Sequence, residues 1–103
     1  MSTVNRPSSS AARVLRVLKA LRGHTLRGLS NTELAQALGE SPANITRYMD
    51  LLIEEGFATR LDTGRFAPSI ALLQIAQAHA NEMASAQQRI NEINQRVLAG
   101  ASL

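Results

Sequence analysis

A mainly α fold, three helices and a two-stranded hairpin followed by a C-terminal helical extension, is predicted for this chain by three observations. Residues 30–57 carry helix-start and helix-stop signals twice in quick succession. Two short runs, FATRLD and RFAPS, flank Thr63-Gly64 as the arms of a hairpin flank its turn. From Ile70 to Leu98 there is neither proline nor glycine to break a helix. The expected organisation is a flexible arm over 1–10, a folded domain over 11–68 and the extension over 69–103.

The arm is rich in Ser, Thr, Asn and Pro, which favours an untethered tail; Arg6 on it is within reach of a minor groove if nucleic acid is the partner. From Ala11 to Arg22 the pattern turns helical, with Val14, Leu15, Val17, Leu18 and Leu21 forming a wide apolar stripe. Arg13, Arg16 and Lys19 lie off that stripe, open to solvent, DNA or a partner subunit. Gly23 ends the helix, and residues 24–28 form a loop.

Ser30 three residues before Glu33 is a capping box, so the second helix starts there. Leu34, Ala35 and Leu38 give it an apolar face, and Gly39 supplies the left-handed conformation that closes a helix. Ser41 followed by Pro42 opens the third helix, because proline at the first helical position lacks only an N–H that has no partner there. Ile45, Met49 and Leu52 recur at helical spacing and point inward. The opposite face carries Ala43, Asn44, Thr46 and Arg47, which are small, hydrogen-bonding or cationic. Such a face fits the major groove of duplex DNA, where Asn44 can pair with adenine and Arg47 with guanine or a phosphate. The hairpin that follows has Arg60 and Arg65 beside its tip, and a helix-turn-helix with a basic hairpin is a winged helix.

The chain here resembles the winged helix-turn-helix domain of the IclR family of transcription regulators, from about Ala12 to about Ala76. The resemblance rests on RVLRVLKAL at 13–21, the central pair up to Phe57, GRF at 64–66 and LLQIA at 72–76, in matching order and spacing. It implies that the third helix enters the major groove with Ala43, Asn44, Thr46 and Arg47 at the bases, and that Arg60, Thr63 and Arg65 meet phosphate. The chain departs from the family pattern at Ala67, where a basic residue is frequent, at Pro68, where leucine is, and at Ser69 and Ala76, where glycine is. Ile53 adds an apolar group where the pattern is usually polar, and the tail is the neighbour expected to cover it. The family's C-terminal effector-binding domain has no counterpart before Leu103, so a stand-alone binding domain is expected. A prokaryotic or phage origin and a cytoplasmic location follow from the same resemblance.

Composition agrees with a small intracellular domain. Hydrophobic residues make up 45% of 103 residues, cysteine is absent, and no apolar run approaches the ~20 residues that span a bilayer. With only Tyr48, Phe57 and Phe66 aromatic, the core is expected to be aliphatic. The net charge of +3 is unevenly spread: residues 1–30 hold six cations and no acid, whereas 31–56 hold five acids and only Arg47. A basic front end suits phosphates. Ser30, Asn31 and Thr32, at the N-terminus of the second helix, and Ser41, at that of the third, are further candidates for phosphate contact, since free N–H groups there favour anions. Capping alone explains Ser30.

The extension allows one helix of about 29 residues or two joined near residues 81–85. A heptad register places Ala76, Met83, Ile90 and Val97 at a, and Leu72, His79, Ala86 and Ile93 at d. The apolar members need burial, and a homodimer through Leu72, Met83, Ile90, Ile93 and Val97 is favoured over packing within the chain. Enzyme chemistry is not expected: the two histidines are far apart, Glu54 and Glu55 diverge on their helix, and no phosphate-cradling loop or cofactor motif occurs. His79 with Glu82 is too small a set for a metal, so no metal is expected either. Asp50 or Glu54 pairing with Arg47 is the structural alternative for that arginine. Double-stranded DNA and a second copy are the expected partners. The competing reading is a winged helix used as a protein-interaction module in a nucleoprotein assembly, through its acidic residues 50–55 and its tail.

Overall fold

The computed structural model describes residues 9–101, so the expected arm, with Arg6, falls almost wholly outside the described residues. The elements are α1 (Ser10–Ala20), α2 (Asn31–Leu38), α3 (Pro42–Glu54), β1 (Ala58–Arg60), β2 (Phe66–Pro68) and α4 (Ile70–Ala101). The described part of the chain divides into two compact units at Leu72.

In the first unit each helix begins where a side chain can satisfy a free N–H. Ser9 caps α1 by accepting from the Ala12 N–H at 3.1 Å, so this helix begins one residue earlier than the apolar stripe indicates. Both arms of the Ser30–Glu33 capping box are formed, at 3.1 and 2.8 Å. Ser41 caps α3 through the Asn44 N–H at 3.1 Å, with Pro42 behind it. Gly39, at φ 66°, closes α2 in the left-handed region. The last turn of α1 tightens instead: Leu21 and Arg22 bond the carbonyls of Leu18 and Lys19, and the helix ends at Ala20, short of Arg22.

Val14, Val17 and Leu21 of α1 pack with Leu34 and Ala35 of α2 and with Ile45, Tyr48, Met49 and Leu52 of α3. Leu15 is 56% exposed and leaves the expected stripe, because the core lies on the Val14–Val17–Leu21 side. Tyr48 and Phe66 join this cluster, so the core is not purely aliphatic; Phe57 stays outside it. Ile53 packs on the same cluster.

The wing is a two-stranded antiparallel ribbon with Ala58 opposite Pro68 and Arg60 opposite Phe66. Gly64, at φ 87°, donates its N–H to the Leu61 carbonyl, and Leu61 in turn bonds Arg65 across the turn. Leu29 adds a third, one-residue rung by exchanging two 2.8 Å bonds with Phe66. This close approach explains Gly28, where a Cβ would lie 2.5 Å from the Phe66 carbonyl oxygen. Ser69 then donates to the Gly56 carbonyl at 2.6 Å and accepts from the Leu72 N–H at 3.0 Å, which caps α4.

α4 is a single helix of 32 residues, not two, and runs through Gly100. No side chain of it is buried. None of the helices is long and apolar enough to cross a membrane among the described residues.

Candidate nucleic-acid interface

The outward face of α3 is built from its first two turns. Ala43, Thr46 and Arg47 are exposed, and Asn44 is half-buried beside them. All three polar side chains of this face are held by others. Asn44 donates through Nδ2 to Glu40 Oε1 at 3.2 Å and accepts through Oδ1 from Arg47 Nη2 at 3.0 Å. Glu40 is itself buried, and Arg13 of α1 lies 3.7 Å from its carboxylate. A chain of contacts therefore runs Arg13, Glu40, Asn44, Arg47 from beneath the domain to its surface. It fixes the amide of Asn44 in one orientation and leads the Arg47 guanidinium from a defined point, 5.8 Å from the Tyr48 ring centroid. Arg47 thus pairs with Asn44 and not with Asp50, which sits 3.9 Å from Arg60.

Thr46 is tied down in the same way. Its hydroxyl donates to the Pro42 carbonyl at 3.1 Å and accepts from Asn31 Nδ2 at 3.0 Å. Asn31 also donates to Pro42, at 3.1 Å, and so pins the start of α2 to the start of α3. Its Oδ1 is buried with no hydrogen-bond partner. Thr32, Ser41 and Ala43 are exposed along the same edge.

The wing behaves differently. Arg65 turns its guanidinium inward: Nε donates to the Arg27 carbonyl at 2.9 Å, Nη2 to the Gly28 carbonyl at 3.1 Å, and Nη2 lies 2.7 Å from Glu33 Oε1. One side chain thereby joins the wing, the α1–α2 loop and the first turn of α2. Glu33, accepting from the Ser30 backbone and paired with Arg65, has its pKa held below the ordinary glutamate value, chiefly by the Ser30 backbone hydrogen bond. Arg60 stacks over Phe66, 4.9 Å from the ring centroid, and Thr63 stands exposed at the tip with its hydroxyl 3.4 Å from the Arg65 N–H. Between wing tip and loop lies an open groove of about 800 Å³, lined by residues including Arg27, Glu33, Thr63 and Arg65.

Of the expected site residues, Asn31 of α2 is joined to Thr46 of α3, Asn44 to Arg47, and Arg65 of the wing to Glu33 at the start of α2. Glu40 and Arg13 were not among them. The spacing of Glu40 four residues before Asn44 is the sequence signal that points to the first; nothing local points to Arg13. The other expected set, Leu72, Met83, Ile90, Ile93 and Val97, is distributed along α4. No group of three or more potential metal ligands occurs among the described residues.

The sequence model of the IclR helix-turn-helix domain matches residues 10–62. Among solved structures the chain is similar to Pseudomonas aeruginosa HmgR, with a TM-score of 0.61 and 26% identity over 73% of this chain and 32% of that one. It therefore spans about a third of the HmgR chain. A similarity to a mutant of Lactococcus lactis ZitR covers 93% of this chain and 65% of that one, at a TM-score of 0.41 and 18% identity. No curated protein sequence matches.

Proposed function

Since the chain belongs to the IclR helix-turn-helix domain family, we propose that it binds double-stranded DNA with sequence specificity and acts in the cytoplasm as a dimeric regulator of transcription. The observation that carries this reading is the outer face of α3. Its leading residue, Ala43, is small enough for a backbone to approach a base pair, and Asn44, Thr46 and Arg47 are held at defined positions around it. Orientation matters because a bidentate contact to a base edge discriminates only if donor and acceptor face the right way.

In this mechanism α3 lies in the major groove, and Arg47 and Asn44 read base edges. Ser30, Asn31, Thr32 and Ser41, at the two helix N-termini, face the sugar-phosphate backbone, where unsatisfied N–H groups favour anions. Arg60 and Thr63 approach the backbone from the wing. Arg65 acts as a positioning residue, since its donors are engaged with Arg27, Gly28 and Glu33. Two copies joined through Leu72, Met83, Ile90, Ile93 and Val97 would read an inverted repeat, with half-sites one ~34 Å turn or a multiple apart.

The test is selection of bound sequences from a randomised duplex pool, repeated with Arg47→Ala. An enriched inverted repeat that loses preference at one position in the variant, with a cost of ~1–3 kcal/mol on the selected site, is the expected result. A uniform loss on all sequences would make Arg47 a phosphate contact. No enrichment, with weak salt dependence, would favour the protein-interaction module.

A further inference from the structure

α4 leaves an apolar seam open along its length. Met83 is 49% exposed, Ile90 51%, Ile93 53% and Val97 63%, although together with Ala86 they recur at alternating spacings of three and four that define one helix face. Building on the dimer reading above, we infer that the occupant of this seam is the α4 of a second copy, and that the two helices run antiparallel.

Two features of the sequence on this continuous helix carry the orientation. The first is the order of large and small residues. When Met83 is set opposite Ala86 of the second copy, Ala76 meets Ile93, His79 meets Ile90 and half-buried Leu72 meets Val97. Large side chains then oppose small ones at two of the four kinds of layer, so no layer is made of two alanines. In a parallel pair each residue meets itself. A layer of two alanines at 76 then lies between layers of Leu72 and His79, and one at 86 between layers of Met83 and Ile90, which leaves voids beside crowded layers.

The second feature is charge. The residues flanking the seam at position g are Ile75, Glu82, Arg89 and Arg96. In the antiparallel register Glu82 of each copy faces Arg89 of the other, which makes two ion pairs related by the two-fold axis. In a parallel pair Glu82 faces Gln87 and Arg89 faces Asn94, and no opposite charges meet. Glu82 has no lysine or arginine within one turn of it in its own helix. Orientation also sets where the two chains enter the coil. With Leu72 opposite Val97, the two entry points lie ~38 Å apart along the axis at ~1.5 Å per residue. A parallel pair enters side by side, at the ~8–10 Å of packed helices.

The chain contains no cysteine, so single labelling sites can be introduced without background. Spin labels at Gln88→Cys and Gln95→Cys occupy the same heptad position. In the antiparallel pair the axial offset between like labels grows from ~10 Å at residue 88 to ~32 Å at residue 95. In a parallel pair the two label distances are equal. The second measurement is a charge exchange followed by sedimentation equilibrium without DNA: Glu82→Arg or Arg89→Glu alone should weaken the dimer ~tenfold or more, and the double variant should restore it. Equal label distances, absence of rescue, or a monomer at every concentration would each overturn the inference. A monomer that still selects a DNA sequence would leave the DNA reading standing, and an antiparallel dimer that selects none would leave only the pairing.

Discussion

Leu34 and Ile90 are both aliphatic residues on helix faces marked by apolar spacing, yet Leu34 is fully buried and Ile90 is 51% exposed. The difference is one of neighbours. Leu34 sits on an eight-residue helix with α1 and α3 packed around it, so its burial is completed within the chain. Ile90 sits on a 32-residue helix none of whose side chains is buried. Apolar periodicity therefore states that a face needs covering, and the fold decides whether the chain itself supplies the cover. In the winged helix it does. The core of that unit is completed by its own helices and wing, whereas the apolar face of α4 stays exposed.

The largest expected effects break this comparison directly. Leu34→Asp places a charge where no water or partner reaches it, and should cost ~4–5 kcal/mol, enough to unfold the unit. Ile90→Asp should leave the urea transition of the winged helix unchanged and shift only the monomer–dimer equilibrium. An equal loss of fold in both variants, read by circular dichroism across a urea titration, would mean that α4 is part of the same cooperative core.

A smaller effect is expected at the base of the wing. Gly28→Ala forces a left-handed residue with φ 69° to carry a Cβ aimed at the Phe66 carbonyl. The strain should cost ~1–3 kcal/mol and loosen the paired bonds between Leu29 and Phe66, visible as faster amide exchange at those two residues. Gly23→Ala offers a control, because a Cβ there meets nothing within 4 Å although its φ is also positive. Only the strain of the dihedral remains in that variant.

The sequence legibility of these regions follows the range of their interactions. Ser30 with Glu33, Ser41 with Pro42, and Gly39 were readable because capping acts over three or four residues and uses particular side-chain chemistry. The inward set Ile45, Met49 and Leu52 was readable for the same local reason. Arg65 was not. Its partners lie 37 and 38 residues back in the chain, so it looked like a free cation at a hairpin tip when it is a strut between wing and loop. Leu29 pairing with Phe66, and Arg13 reaching Glu40, are hidden by distance in the same way. Leu15 failed for a subtler reason: a stripe as wide as that of α1 contains more apolar positions than one contact face can bury. The sequence does not decide the continuity of α4, because absence of Pro and Gly permits a helix without requiring one.

Arg65→Ala sharpens the comparison between wing and recognition helix. As a strut at a side-chain exposure of 35%, it should contribute ~1 kcal/mol of stability, with its solvent contact reducing what the ion pair with Glu33 adds. Arg65→Lys should recover little of that loss, because an ammonium cannot span two carbonyls and a carboxylate as the guanidinium fork does. A phosphate contact would give the opposite pattern: unchanged urea midpoint, weaker DNA binding, and substantial recovery by lysine.

The smallest expected effect lies in the pH dependence of the capping box. The Glu33 carboxyl has its pKa lowered mainly by the Ser30 backbone N–H, against a partial opposing effect of desolvation, with the Ser30 hydroxyl and Arg65 contributing further lowering. A folded-state pKa below the unfolded value means that ionised Glu33 adds stability above the ordinary glutamate range. That contribution disappears as pH falls through the folded value. Glu33→Gln keeps an oxygen to accept the Ser30 N–H but never ionises. The stability difference between wild type and Glu33→Gln should therefore be greatest near neutral pH and shrink steadily on acidification, measured by urea midpoints from pH 7 to pH 3. A difference that stays constant over that range would mean that the box works as a neutral hydrogen bond. Combining Arg65→Ala with the same series separates the two sources of the shift: because the Ser30 backbone bond is the larger one, removing the guanidinium should reduce the pH dependence without abolishing it.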